Sequence, residues 1–201
     1  MSIQSDVKVG FIADENVADP DRLVVAARPN TSATMAETTF LGGGARNVTV
    51  TTTGTSDNAK TCTITGTDVF GNAITEVIVS TGSAEAVAGA KLFLTVSGVE
   101  CSAQYAANIT VGSGSLCASA VAGGNRTRMK GYSIVSAGTA GLVDFYNGTP
   151  EDGTIIFKAQ TLGTDNTTID NTIPDEGLLF GSGLTVGYTV ATVVLANIFF
   201  A

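Results

Sequence analysis

The feature that most constrains this chain is an alternation with a period of two. In NVTVTTT (47–53), Val48 and Val50 fall on one side of an extended backbone and the threonines on the other. TCTITGTD (61–68) repeats the pattern, setting Cys62 and Ile64 against Thr61, Thr63 and Thr65. Successive side chains of a strand point to opposite faces, so the pattern describes strands with one face on a core and the other in solvent. Threonine suits the wet face, because its branched Cβ fits the pleat while its hydroxyl stays hydrated. The chain as a whole is built the same way: 29 Thr and 24 Gly stand beside only 4 Pro in 201 residues. No long stretch repeats with the 3.6-residue period of an amphipathic helix. The expected class is all-β.

Turn signals divide these strands into two groups of similar length. Gly71-Asn72 predicts a tight reversal between TCTITGTD and AITEVIVS (73–80). KLFLTVSGVEC (91–101) reads as one strand with Leu92, Leu94 and Val96 on one face, and NITVGSG (108–114) as another. Further on, YSIVSA (132–137), GLVDFY (141–146), TIIFKAQ (154–160), LTVGYTV (184–190) and TVVLANIFF (192–200) are strand candidates. NGTPEDG (147–153) is a dense turn signal between two of them. The predicted fold is two small antiparallel β-sandwich or barrel-like domains, at 44–118 and 132–201, joined by a glycine-rich, then basic, linker at 119–131. One continuous sheet assembly is the alternative. An extended N-terminal arm at 1–43 precedes them. There VKVGFIA (7–13) can add one strand, and ADPDRLVVAAR (18–28) reads equally well as two helical turns or as extended chain.

The chemistry the chain can support is narrow. It has no His and no Trp, so the commonest general base and zinc ligand is absent and a Ser-His-Asp or Cys-His site is excluded. No stretch reads as a phosphate loop. The net charge of −8 argues against broad binding to nucleic acid or to an anionic membrane. The odd number of cysteines, Cys62, Cys101 and Cys117, argues against a disulfide framework, with a Cys101–Cys117 bridge as the open alternative. TDNTTIDNTIPDEG (164–177) offers Asp165, Asp170, Asp175 and Glu176 to calcium but lacks EF-hand spacing, and reads first as a polar loop. Asp14, Glu15, Asp19 and Asp21 form the other acidic cluster, read as helix capping and a solvated arm. The N-terminus has no basic start followed by a long apolar run, so it does not read as a signal peptide, and no apolar segment is long enough for a membrane helix. No catalytic, metal or cofactor site is expected, and the chain reads as no enzyme.

Two groups of residues point outward to other proteins. Arg126, Arg128 and Lys130 place three of the ten cations within five residues, as a solvated linker or as a contact for an acidic surface. Ile198, Phe199 and Phe200 put three large apolar side chains at the end of the chain, where fraying would expose them. They must pack inside a terminal strand or against another subunit.

The segment from VTVTTTGTSDNAKTCTITGTDVFGNAITEVIVSTG (48–82) through KLFLTVSGVECSA (91–103) and NITVG (108–112) resembles a β module of tailed-bacteriophage virion proteins. GYSIVSAGTAGLVDFYNGT (131–149) with IPDEGLLFGSGLTV (173–186) is similar to a second small phage β module. The resemblance implies a structural protein of the virion, made in the host cytoplasm. Its foremost reading is a capsid decoration (cement) protein that contacts major capsid subunits and forms a homo-oligomer, with a trimer suited to quasi-sixfold shells. A tail protein (tube, adaptor, tip or fibre base) with neighbouring tail proteins as partners is the runner-up. A glycan-binding adhesin module is the reading from another class, against which the lack of Trp counts. The resemblance carries no catalytic residues.

Overall fold

The computed structural model describes residues 7–13, 17–82 and 84–201. Asp14 and Glu15 of the first acidic cluster lie outside them. The described chain is all-β, with every strand pair of known register antiparallel. It divides into two compact units, one of residues 16–117 and one of residues 1–15 with 118–201.

The unit of residues 16–117 opens with β2 (Val24–Ala27), after β1 (Lys8–Ala13) of the other unit, and continues with β3 (Ala45–Thr52), β4 (Asn58–Thr67), β5 (Ala73–Thr81), β6 (Ala86–Phe93) and β7 (Thr95–Cys101). The first part of β8 (Ile109–Ala122) completes it, so the unit boundary falls inside that strand. β4 is the centre of a three-stranded sheet ordered β5-β4-β7, while β3 lies between β8 and β6, and β2 pairs β8. The predicted reversal joins β4 to β5. Asp68 Oδ1 accepts from the N–H groups of Phe70 and Asn72 at 2.8 and 2.9 Å, and Gly71 sits at φ +83°, where a side chain is strained. The core comprises Leu23, Val24, Val48, Val50, Cys62, Ile64, Phe93, Val96, Val99, Tyr105 and Ile109 among others.

Two expectations change here, and one alternative is decided. The stretch 18–28, read as helical turns or as extended chain, is a turn at 20–23 followed by β2, with Leu23 and Val24 both fully buried. The single strand expected at 91–101 is two, β6 and β7, in different sheets. Leu92 and Phe93 are consecutive and both buried, so the backbone bends at Leu94, whose N–H donates to the Thr67 carbonyl at 2.7 Å. On β3 the threonine face is not solvated, because Asn47 and Thr49 are buried and Thr51 is half-buried. A period of two tells which residues share a face, not whether the second face is wet. Asn47 meets the cost of burial by donating to the Gly89 carbonyl at 3.0 Å and accepting from the Leu116 N–H at 3.0 Å.

The other unit contains β1, the end of β8, and β9 (Thr127–Ser136), β10 (Leu142–Asn147), β11 (Thr154–Gln160), β12 (Thr167–Thr172), β13 (Leu178–Phe180), β14 (Leu184–Thr189) and β15 (Val193–Phe200). One sheet runs β1-β15-β9-β12 with β13 also on β9, and β10 is flanked by β11 and β14. The two layers meet through Tyr132 of β9, Phe145 of β10 and Phe157 of β11. The three rings lie 5.6–5.7 Å apart, centroid to centroid, in tilted arrangements.

The expected linker at 119–131 consists of the end of β8, an exposed turn at 123–126 and the start of β9. Small residues there serve strands as well as they would serve a tether. Nor is the N-terminal segment a separate arm. Its first strand pairs β15 from Lys8↔Phe200 to Ala13↔Leu195, and β2 pairs β8.

Candidate interaction surface

The sheet β1-β15-β9-β12 has one face toward the core and one outward. Ile12, Ala196, Ile134 and Ile198 are buried and occupy the inner face. Their sequence neighbours therefore project outward, and the registers line these up in rows across the sheet. Val9 stands opposite Phe199 and Phe11 opposite Asn197, while Leu195 faces Val135. Val7, Val9 and Phe11 are exposed, Phe11 by 67%. Leu195, Phe199 and Val135 are half-buried. The result is an apolar band on β1 and β15 that reaches β9 at Val135 and is interrupted by Asn197 and Ser133 in the middle row. β1 ends the sheet order, so the band reaches an edge strand. Natural proteins normally blunt such an edge with charge, proline or a covering element. At the opposite edge β12 does so, with Thr168, Asp170 and Thr172 opposite Val135, Ser133 and Gly131.

The residues singled out at the chain end separate here. Ile198 is fully buried and belongs to the core, so it is not an interface residue. Phe199 is in the outward band. Phe200 pairs with Met129 across a register shift at which β9 skips Lys130. This bulge lets Met129 and Tyr132, three apart in sequence, both point inward.

The basic cluster is largely satisfied within the chain. Arg128 Nη2 lies 3.0 Å from Glu176 Oε2, and Lys130 Nζ donates to the carbonyls of Glu176 and Asp175 at 2.9 and 3.4 Å. The acidic surface these two cations contact is therefore the chain's own Asp175-Glu176 turn. Arg126 is exposed in the turn before β9.

The acidic stretch 164–177 is not one loop. Asp170 lies on β12, and Asp175, at φ +55°, lies in the turn leading to β13. Among the described residues no group of three or more Cys, Asp or Glu side chains converges as a metal would require. Cys101 faces Cys62 and not Cys117, which excludes the Cys101–Cys117 bridge from this fold.

Sequence reasoning missed Val7, Val9, Phe11, Val135 and Leu195 as an outward set. A signal was present: in VKVGFIA both alternating sets contain apolar residues, Val7-Val9-Phe11 and Gly10-Ile12. A strand with one dry and one wet face does not show that pattern.

No protein-family model matches the chain, and no curated protein matches it in sequence. Among solved structures, a chain of the Cowpea mosaic virus top component, naturally occurring empty particles, is similar at 7% identity over 79% of this chain and 82% of that one. The TM-score of 0.23 is too low to establish a shared fold.

Proposed function

We propose that this protein is a structural component of a virion, and specifically a capsid decoration protein that holds adjoining shell subunits together. The observation that carries the reading is the outward apolar band of Val7, Val9, Phe11, Leu195, Phe199 and Val135 on an edge of a rigid sheet. Such a surface gains free energy only when covered, since apolar area removed from water contributes roughly 25 cal/mol per Å². The sequence resemblance of 48–112 and 131–186 to phage β modules supports a virion as the place where it is covered. The chain acts by fitting against protein neighbours, as a homo-oligomer and on major capsid subunits, and transforms no molecule. The same surface serves equally well in a ring or tube, so a tail protein remains the second reading.

Localisation on purified particles tests the proposal. Many copies on the head surface are the expected result. A small ring of copies at the tail replaces the first reading with the second. Absence from particles altogether, with the protein monomeric in solution, refutes both.

A further inference from the structure

Cys62 and Cys101 are direct partners on the antiparallel strands β4 and β7. Their sulfurs lie 3.6 Å apart, and both residues are buried. The kind of pairing can be read from the backbone. The Cys101 N–H donates away from β4, to the Thr31 carbonyl at 2.6 Å, while in the next pair the Ser102 N–H donates to the Thr61 carbonyl at 3.0 Å. Cys62 and Cys101 therefore occupy a pair that exchanges no backbone hydrogen bonds. In such pairs the Cα atoms approach to about 4.5 Å, and the side chains are closer than in the alternate pairs. That separation falls within the window a disulfide spans, about 4.4–6.8 Å.

We propose that Cys62 and Cys101 are a cross-strand disulfide site, held as two thiols in a reducing compartment and closed outside it. The oxidant is a small organic disulfide such as oxidised glutathione. A Cys62 thiolate attacks one sulfur of the reagent and releases one thiolate from it. Cys101 then gives up its proton and attacks the Cys62 sulfur of the mixed disulfide, releasing the second. The protein loses two protons and two electrons, and the reagent becomes two thiols.

The surroundings favour Cys62 as the first nucleophile. Its acidity is raised chiefly by the Cys101 thiol, which is placed to donate to it; burial opposes this, and the Tyr105 hydroxyl at 3.3 Å assists. The same contact, with burial, pushes the Cys101 thiol upward. Access is local, because Cys101 is the last residue of β7. The two cysteines are 39 residues apart, and the loop they close contains β5 and β6. Closing a loop of that length removes much freedom from the unfolded chain.

The test uses the full chain, unfolded and refolded in a glutathione redox buffer so that burial does not limit access. Thiols are counted after denaturation, and linked peptides are mapped by mass spectrometry. The expected result is one remaining thiol, on Cys117, a Cys62–Cys101 linked peptide, and a Tm raised on the order of 10 °C that a reductant reverses. Cys117→Ser should form the same link and leave no thiol, and Cys62→Ser should form no intramolecular bond. Three thiols after oxidative refolding, or a link that involves Cys117, overturns the proposal.

Discussion

Asp57 is a buried carboxylate whose removal should cost measurable stability. It lies in the turn before β4 and is completely buried. Its Oδ1 accepts from Lys60 Nζ at 2.8 Å and from the Ala106 N–H at 2.6 Å, and its Oδ2 accepts from the Ala107 N–H at 3.3 Å. One carboxylate thereby pins the segment after β7 to the turn between β3 and β4. Burial is the largest single influence on its acidity and raises its pKa. The bonds from Lys60, Ala106 and Ala107, with the Lys60 charge, together outweigh burial and hold the carboxyl below the ordinary 3.8. Asp57→Ala removes the acceptor for the N–H groups of exposed Ala106 and half-buried Ala107 and for the Lys60 ammonium, which keeps the Gln104 carbonyl. Losing charge-assisted hydrogen bonds to a buried carboxylate in this way costs about 1.5–3 kcal/mol. Against a total stability of about 5–15 kcal/mol, that is a large fraction. For a unit of this size it lowers Tm by roughly 5–15 °C. Urea and thermal unfolding of the wild type, Asp57→Ala, Asp57→Asn and Lys60→Met measure it. The sign of the pH effect follows from the depressed pKa. The Asp57 contribution is present in full above the unfolded value near 3.9 and is lost as pH falls through the folded value. Asp57→Asn should therefore flatten the acid limb of the stability curve. An Asp57→Ala variant within about 1 kcal/mol of wild type at pH 7, with an unchanged acid limb, would refute the account.

Other predictions separate surface from core. Val9→Ser with Phe11→Ser should change folding stability by no more than about 0.5 kcal/mol per site, as expected of exposed positions. It should weaken self-association or particle binding by about tenfold or more per residue, read by analytical ultracentrifugation and co-sedimentation; unchanged binding removes the band from the interface. Ile198→Ala, by contrast, should cost about 2–5 kcal/mol in chemical denaturation, because it empties a fully buried site. Gly71→Ala should destabilise by about 1 kcal/mol while Gly71→Asn costs less, since φ is +83° and an added Cβ meets nothing within 4 Å. Gly66→Ala should be far worse, because its methyl would collide with the Thr95 carbonyl oxygen; equal effects at the two glycines would contradict both assignments.

The legible parts of the fold were those whose determinants are local. The β4–β5 hairpin could be read because alternation and the Asp68–Asn72 turn lie within one short stretch of chain. The break between β6 and β7 could not, since Leu92-Phe93-Leu94 fits a continuous strand until tertiary packing buries two neighbours at once. β12 was missed because TTIDNT is an edge strand with two polar faces and so has no apolar period to detect. At the chain end, composition announced that three large apolar residues needed cover. Which of them faced outward depended on the register with β1, set by residues nearly two hundred positions away.

That pairing has a consequence for how the polypeptide matures. The strand at Lys8–Ala13 is synthesised well before its partner at Val193–Phe200, with most of the other strands in between. At about 5–20 residues per second, the early strand waits roughly ten seconds or more with no mate. The unit of residues 16–117 has all its strands available well before then and is free to form first. During that wait the chain carries an unsatisfied ribbon of valine and phenylalanine, and a pulse of protease or a trapping chaperone would find it there.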